Sequence, residues 1–180
     1  MHLAGAQTCS PNEKAGHMRS GLPAEARQVR KVLVAEDQYV IALDLSEALE
    51  RSGVEVLGPV SALDAGLCVL HRNDDIAGAV LDVTMQGSVV YPLADALRRR
   101  GVPFVLCTGH SRDHIAAAFR DTVLCVKPLP AAKVVLALQA EMARLLRRRS
   151  LDGSAYRLEP NPIGLDHTQL RRTCSGTRSA

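Results

Sequence analysis

The residues of this chain that could carry out chemistry stand directly after short apolar runs. They are three carboxylates, a hydroxyl and an ammonium, and each follows a run rich in Val, Leu, Ile or Ala. In chain order they are Glu36, Asp37, Asp82, Thr108 and Lys127. Carboxylates bind hard cations or act as nucleophiles, and an ammonium neutralises an anionic group. This set therefore suits a charged site that works with a cation.

Collecting the three carboxylates at one place is costly unless a cation lies among them. Two like charges about 4 Å apart repel by roughly 4 kcal/mol at an effective dielectric near 20. A hard divalent cation offsets that repulsion. Mg²⁺ fits because it is held by a few carboxylates and keeps several waters and a phosphate oxygen in its octahedron. The sequence predicts a magnesium site, provided that the fold brings these run ends together.

Strands and helices are expected to alternate through the middle of the chain. Short apolar runs that end in polar or turn residues predict strands, and apolar residues recurring at helical spacing predict helices. Ser61 is a good N-cap for the second helix, and Pro92 is tolerated in the first turn of the third. The predicted strands are 31–36, 54–60, 76–81, 104–107 and 122–126. The first helix runs through residues 41–49 and ends before Gly53, and the other helices are 61–70, 88–100, 112–120 and 131–149.

This alternation indicates an α/β fold with a doubly wound parallel sheet, built from five βα units. Strands that are apolar throughout are typical of parallel sheets covered by helices on both faces. Such sheets place their ligand site at the carboxyl ends of the strands, near the point where the strand order reverses. The polar residues that follow the apolar runs are therefore expected to meet at one edge.

Four segments resemble the receiver domains of bacterial two-component response regulators. They read VLVAEDQYVIALDLSEALE, AVLDVTMQG, FVLCTGHS and VKP, and the resemblance covers about residues 31–149. The stretch VYPLADALRRRGVPFVLCTGHS is similar to stand-alone, CheY-like receivers with a compact loop after the phosphoacceptor strand. The resemblance implies a flavodoxin-like, five-stranded sheet of order 2-1-3-4-5.

The resemblance also implies a role for each residue of the set. Asp82 matches the phosphoacceptor, and Mg²⁺ is expected on Glu36, Asp37, Asp82 and the backbone carbonyl of Thr84. Thr108 matches the hydroxyl that bonds a phosphoryl oxygen after transfer, and Lys127 matches the lysine that pairs with the same oxygens. We expect Mg²⁺-dependent self-phosphorylation and autodephosphorylation of Asp82. We do not expect the chain to be a conventional enzyme.

Three positions depart from the family pattern. An aromatic switch residue often stands three residues before the lysine, but this chain has Leu124 there, which predicts weaker coupling between phosphorylation and the outer surface. The common Met-Pro turn after the phosphoacceptor is replaced by Met85, Gln86 and Gly87, and His110 stands two residues past the threonine.

The sequence is consistent with more than one function. The leading hypothesis is a single-domain response regulator that takes a phosphoryl group from a histidine kinase or a histidine phosphotransfer protein and signals to an unknown protein target. The alternative is a receiver-like interaction module that works without phosphorylation, an alternative that Leu124 supports. A phosphohydrolase or topoisomerase-type site is disfavoured, because LDVTM contains neither DxDxT nor DxD.

The remaining sequence limits partners and location. Residues 1–29 and 150–180 are rich in turn residues without periodicity, so we predict two flexible tails around a receiver domain at 30–149, with no output domain. The net charge of +3 is too small for a nucleic-acid stripe. No run reaches 18 apolar residues and the N-terminus lacks a signal-peptide core, so we expect a cytoplasmic protein that binds neither nucleic acid nor membrane.

Overall fold

A computed structural model describes residues 29–151 of the chain. Within this range it contains seven β-strands and four α-helices. The strands are β1 Lys31–Ala35, β2 Glu55–Val60, β3 Ile76–Asp82, β4 Thr84–Met85, β5 Ser88–Val89, β6 Phe104–Thr108 and β7 Leu124–Val126. The helices are α1 Tyr39–Arg51, α2 Leu63–Arg72, α3 Tyr91–Arg99 and α4 Ala131–Leu151.

Five of the strands form one parallel sheet in the order β2-β1-β3-β6-β7. Counted along this sheet alone, the order is 2-1-3-4-5, so the predicted doubly wound architecture is confirmed. The strand order reverses between β1 and β3, and this point lies at the centre of the sheet. The helices that follow these two strands, α1 and α3, pack on opposite faces of the sheet, which leaves a crevice at the carboxyl ends of the strands.

The sheet carries a separate apolar core on each face. Along β1, Val32 and Val34 point to one side, and Leu33 and Ala35 point to the other. The first pair packs with α1 and α4, and the second pair packs with α2 and α3. Each fully buried aliphatic side chain contributes about 1.5–3 kcal/mol, and this two-sided burial makes the position of the strand ends rigid.

The third helix starts later than the sequence predicted. Residues 88 and 89 belong to the hairpin β4–β5, whose two-residue loop is Gln86-Gly87. Both loop residues have positive φ, 47° and 76°, as a type I′ hairpin turn requires. The predicted N-cap of the second helix was also wrong: α2 begins at Leu63, and the Ser61 hydroxyl instead accepts a hydrogen bond from the Gln86 side chain at 3.4 Å.

The fourth predicted helix, at 112–120, is absent. The structure has two 3₁₀ turns there, Arg112–His114 and Ala117–Phe119. Ile115 and Ala116 stand between them with extended backbone, ψ 135° and 139°. The fold thus has four α-helices within the described residues, and the connection from β6 to β7 is irregular.

Side chains of α3 explain this irregular connection. The Tyr91 hydroxyl accepts the Ala116 N–H at 3.0 Å, and Arg98 donates to the Ala118 carbonyl at 3.0 Å. Phe119 stacks on the Tyr91 ring with 4.9 Å between centroids, and the Arg98 guanidinium lies 4.3 Å from the Phe119 centroid. Backbone groups that a helix would pair internally are paired with α3 instead, which removes the advantage of forming the helix.

The two predicted tails lie almost entirely beyond these residues. The predicted tails at 1–29 and 150–180 fall outside the described residues except at their inner ends. Within 29–151, none of the helices combines the length and apolar character that crossing a membrane requires.

The hairpin loop provides a test of backbone strain. A Cβ added at Gly87 or at Gly109 would have no heavy atom within 4 Å, but only Gly87 has a positive φ. Gly87→Ala should therefore lower the free energy of unfolding by about 1–2 kcal/mol, the cost of a left-handed L-residue. Gly109→Ala should stay within about 0.5 kcal/mol of the wild type. Urea denaturation measures both, and equal effects would show that the loop is not held in this conformation.

Candidate functional site

The predicted site residues lie together at the carboxyl edge of the sheet. Glu36 and Asp37 follow β1 at the centre, Asp82 is the last residue of β3, and Thr108 is the last residue of β6. Lys127 comes directly after β7. The apolar strands deliver these side chains to one edge because parallel strands all end on the same side.

The three carboxylates form one cluster. One oxygen from each of Glu36, Asp37 and Asp82 lies within 4.8 Å of the others. Glu36 and Asp82 are buried, 2% and 6% exposed, whereas Asp37 is partly exposed. Buried carboxylates at this spacing repel each other strongly, so the site needs positive charge.

Lys127 supplies positive charge inside the cluster. Its ammonium Nζ lies 2.6 Å from Oε2 of Glu36 and 2.7 Å from Oδ2 of Asp82. Burial lowers the pKa of Lys127, but the hydrogen bonds to Asp82 and Glu36 outweigh burial and raise that pKa above its usual value. The ammonium is therefore charged at neutral pH, and the stabilisation that it provides is lost only as the pH rises through the raised pKa.

The pKa of Glu36 shows that this arrangement disfavours its charged form. Burial raises the pKa of its carboxyl, with a further upward effect from Asp82, while the Lys127 hydrogen bond and the backbone N–H of Gln38 lower it; the net direction is upward. The Gln38 N–H donates to Oε1 at 3.1 Å. Both oxygens of Glu36 thus have partners.

Backbone groups position the other two carboxylates. The Thr84 N–H donates to Oδ1 of Asp82 at 3.3 Å, and the Gln86 N–H donates to Oδ2 of Asp37 at 2.8 Å. Thr84 itself is held by its pairing with Val89 across the hairpin. The first helix begins after Gln38, so Asp37 is bonded to the hairpin and does not cap α1.

The β4–β5 hairpin contributes to the candidate site, and the sequence analysis missed it. Its loop orients Asp37 from 49 positions away, and Thr84, a predicted backbone ligand, lies in its first strand. Gly87 after Gln86, followed by the alternating residues of β5, was the available signal for a two-residue hairpin.

Thr108 lies beside this cluster with its side chain almost fully buried. Its hydroxyl oxygen accepts the N–H of His110 at 3.1 Å, and its carbonyl accepts the N–H of Lys127 at 2.8 Å. The second bond ties the end of β6 to the lysine. The His110 side chain is exposed above the site.

The edge opens into a cleft of about 860 Å³ between α1 and the loops that follow β6 and β7. Asp82, Thr108 and Lys127 line its polar end. Cys107 and Cys125 also line it, and they are register partners on neighbouring strands. A hydrogen bond between the two thiols raises the pKa of Cys107 and lowers that of Cys125.

The oxygen set fits a hard divalent cation. Lys127 bonds the other oxygen of each carboxylate, so Asp82 Oδ1 and Glu36 Oε1 each have a backbone N–H as their hydrogen-bond partner. Asp37 adds a third carboxylate on the partly exposed side. Oxygen ligands with room for water suit Mg²⁺, which keeps much of its hydration. The assignment of individual ligands stays a prediction.

Comparison with known proteins shows what the chain is similar to. No family model matches it. The transcriptional regulatory protein PdtaR of Mycobacterium tuberculosis is 27% identical over 141 residues, which are 75% of this chain and 67% of PdtaR. SdrG of Sphingomonas melonis Fr1 is 33% identical, with a TM-score of 0.54 over 62% of this chain and 97% of SdrG. A response regulator receiver protein of Sinorhizobium medicae WSM419, 22% identical, shares the fold with a TM-score of 0.57 over 66% of this chain and 98% of that one.

The charge balance of the site predicts a pH-dependent effect of removing the lysine. In Lys127→Met, Glu36 and Asp82 stay buried without a counter-charge, so the pKa of Glu36 should rise further. An acid whose pKa is raised by folding makes the fold less stable as the pH rises from the pKa of the unfolded chain to the raised pKa. The loss of unfolding free energy should be small near pH 4 and reach about 3–5 kcal/mol by pH 7.

Urea denaturation across this pH range measures the effect, and Lys133→Met on the exposed face of α4 is the matched control. The control should stay close to the wild type at every pH. A deficit of equal size at pH 4 and pH 7 would contradict an electrostatic role for Lys127.

Proposed function

Because this chain belongs to the response-regulator receiver family, we propose that it accepts a phosphoryl group on Asp82 from a phosphohistidine donor. The observation that carries the proposal is the position of Asp82: a buried carboxylate at the end of the central strand, 2.7 Å from the Lys127 ammonium and within the acidic cluster. A purely structural ion pair would not require two further carboxylates at the same point.

The proposed transfer uses an oxygen of Asp82 as the nucleophile. A bond forms between that oxygen and phosphorus, the bond from phosphorus to the donor imidazole nitrogen breaks, and the imidazole leaves as the neutral ring once it has a proton. The Thr84 N–H and Lys127 hold the carboxylate in one orientation. Lys127 also lies where negative charge accumulates on the transferring oxygens, which lowers the barrier electrostatically.

We propose Mg²⁺ as the cofactor of this site. When bound, it neutralises charge on the phosphoryl oxygens that a carboxylate nucleophile must approach. Glu36, Asp37, Asp82 and the backbone carbonyl of Thr84 would hold it. The hairpin bond to Asp37 keeps that carboxylate beside the other two in advance, so little reorganisation is needed on binding.

After transfer, Thr108 and Lys127 are the groups that can bond the new phosphoryl oxygens. Thr108 gives up its bond with the His110 N–H if its hydroxyl turns toward Asp82, and this disturbs the start of the irregular connection. Leu124, which is partly buried against the α3 side of the core, has no hydroxyl-bearing ring to follow that movement. We propose that the signal travels along residues 109–123 toward the contact of Phe119 with Arg98.

The donor and the target are proteins in this proposal. A histidine kinase or a histidine phosphotransfer protein presents the phosphohistidine, and a downstream protein recognises the changed surface. The receiver at 30–149 is proposed to carry the transfer without the flanking segments. PdtaR is named a transcriptional regulatory protein; for this chain, we propose output through protein contacts.

Phosphorylation is tested by intact-mass analysis of the full chain after exposure to acetyl phosphate and Mg²⁺. The wild type should gain the mass of one phosphoryl group, and Asp82→Asn should gain none. A fragment of residues 29–151 should behave as the full chain does. Equal modification of wild type and Asp82→Asn would place the acceptor elsewhere, and no modification of either would favour the phosphorylation-independent module.

The metal site is tested by thermal melting with and without Mg²⁺. A cation that binds only the folded state at ten times its Kd adds about 1.4 kcal/mol of stability, which should raise the Tm by several degrees. Asp37→Asn should lose most of this rise, whereas Asp64→Asn on the exposed side of α2 should keep it. Equal shifts in all three proteins would exclude the acidic cluster as the binding site.

A further inference from the structure

We propose that Cys107 and Cys125 are a redox modification site: a peroxide oxidant joins them in a reversible disulfide, and the bond slows phosphoryl transfer to Asp82. The disulfide stands on the geometry of the two thiols alone. Its effect on transfer rests on the proposed function. Burial by itself would suit packing residues, but it does not account for two thiols that face each other and line the same cleft as the acceptor.

The two cysteines are direct neighbours across the sheet. Cys107 on β6 and Cys125 on β7 are register partners in a parallel pair, and both belong to the core on the α1 and α4 side. Adjacent strands lie about 4.7–4.9 Å apart, inside the Cα separation of about 4.4–6.8 Å that disulfides span. Parallel strands hold Cβ atoms somewhat farther apart than the usual 3.5–4.5 Å, so the strands must draw together when the bond forms.

The edge position of β7 allows this movement. β7 is a three-residue strand that pairs only with β6 in the described sheet. Short edge strands open at low free-energy cost compared with central strands. The strand can therefore move to close the bond, and a disulfide formed with some strain is readily reduced again by dithiols.

The cleft provides access for a small oxidant. The thiols are only 2% and 4% exposed, so a bulky reagent cannot reach them from the surface. Both line the cleft of about 860 Å³ that opens at the carboxyl edge, which is large enough for a peroxide molecule. Access is thus through the same opening that serves Asp82.

The modification would act on the site through the chain itself. Thr108 follows Cys107 directly, and Lys127 is two residues past Cys125. The Lys127 N–H donates to the Thr108 carbonyl at 2.8 Å, so the two strand ends move together. Drawing β7 toward β6 therefore displaces the ammonium from its position 2.7 Å from Asp82. A shift of about 1 Å in a catalytic group can cost about a hundredfold in rate.

The redox step balances with hydrogen peroxide as the oxidant. One sulfur, as the thiolate, attacks a peroxide oxygen; the O–O bond breaks, a sulfenic acid forms, and the hydroxide released takes up the proton that the thiol lost. The second thiol then attacks the sulfenic sulfur, the S–S bond forms, and its proton leaves with the hydroxide as water. Two thiols lose two electrons, and one peroxide becomes two waters.

Peptide mapping of the full chain tests the bond. The protein is treated with hydrogen peroxide, remaining thiols are alkylated, and trypsin is added without reduction. Cleavage after Arg100, Arg112, Arg120 and Lys133 separates peptide 101–112, which holds Cys107, from peptide 121–133, which holds Cys125. The expected product has the sum of both masses less two hydrogen atoms, and dithiothreitol should remove it. Its absence with both peroxide and diamide would overturn the proposal.

Phosphorylation by acetyl phosphate is then compared in the reduced and oxidised chains. The oxidised wild type should be modified at least about tenfold more slowly, and dithiothreitol should restore the rate. Cys125→Ser should be insensitive to peroxide, while Cys174→Ser should respond as the wild type does. A linked chain that is phosphorylated at the normal rate would overturn the regulatory role. If the reduced wild type takes up no phosphoryl group, the proposed function fails, whereas the disulfide is still decided by the peptide masses.

Discussion

The structure depends on one electrostatic constraint: two buried carboxylates, Glu36 and Asp82, share the ammonium of Lys127. Burial and the repulsion between the two carboxylates both disfavour this arrangement, and the shared ammonium offsets them. The lysine comes from an edge strand and the acids come from the two central strands. The ion cluster therefore ties the edge of the sheet to its centre and determines where the end of β7 must lie.

Other features of the fold serve this cluster. The two apolar cores hold β1 and β3 rigidly, which keeps the acids in register. In the hairpin after β3, the non-glycine residue Gln86 adopts a positive φ, and its N–H donates a hydrogen bond to Asp37. The connection from β6 to β7 is not helical, and Tyr91 and Arg98 each bond one of its backbone groups. The strand ends are thus preorganised, whereas residues 112–120 are held by side-chain contacts with α3 and within the segment itself.

The parallel sheet and the edge that collects the polar residues could be predicted from the pattern of the sequence, and the strand order followed from the resemblance to receiver domains. Runs such as 31–36 and 76–81 are apolar throughout, and that pattern has few solutions other than a covered parallel sheet. The helix at 112–120 could not be judged in the same way. Its apolar spacing fits a helix, but the competing partners, Tyr91 and Arg98, lie in another element, so local propensity was overridden by tertiary contacts.

The sequence by itself determined which residues could do chemistry and that they would end neighbouring strands, because residue type and period-based patterning are local properties. Only the tertiary structure decided that Lys127 bridges Glu36 and Asp82, that Gln86 orients Asp37, and that Cys107 lies beside Cys125 on the neighbouring strand. Each of these contacts joins residues far apart in the chain, and its geometry depends on strand register and loop conformation. Those quantities are set by packing across the whole sheet, which no local segment encodes.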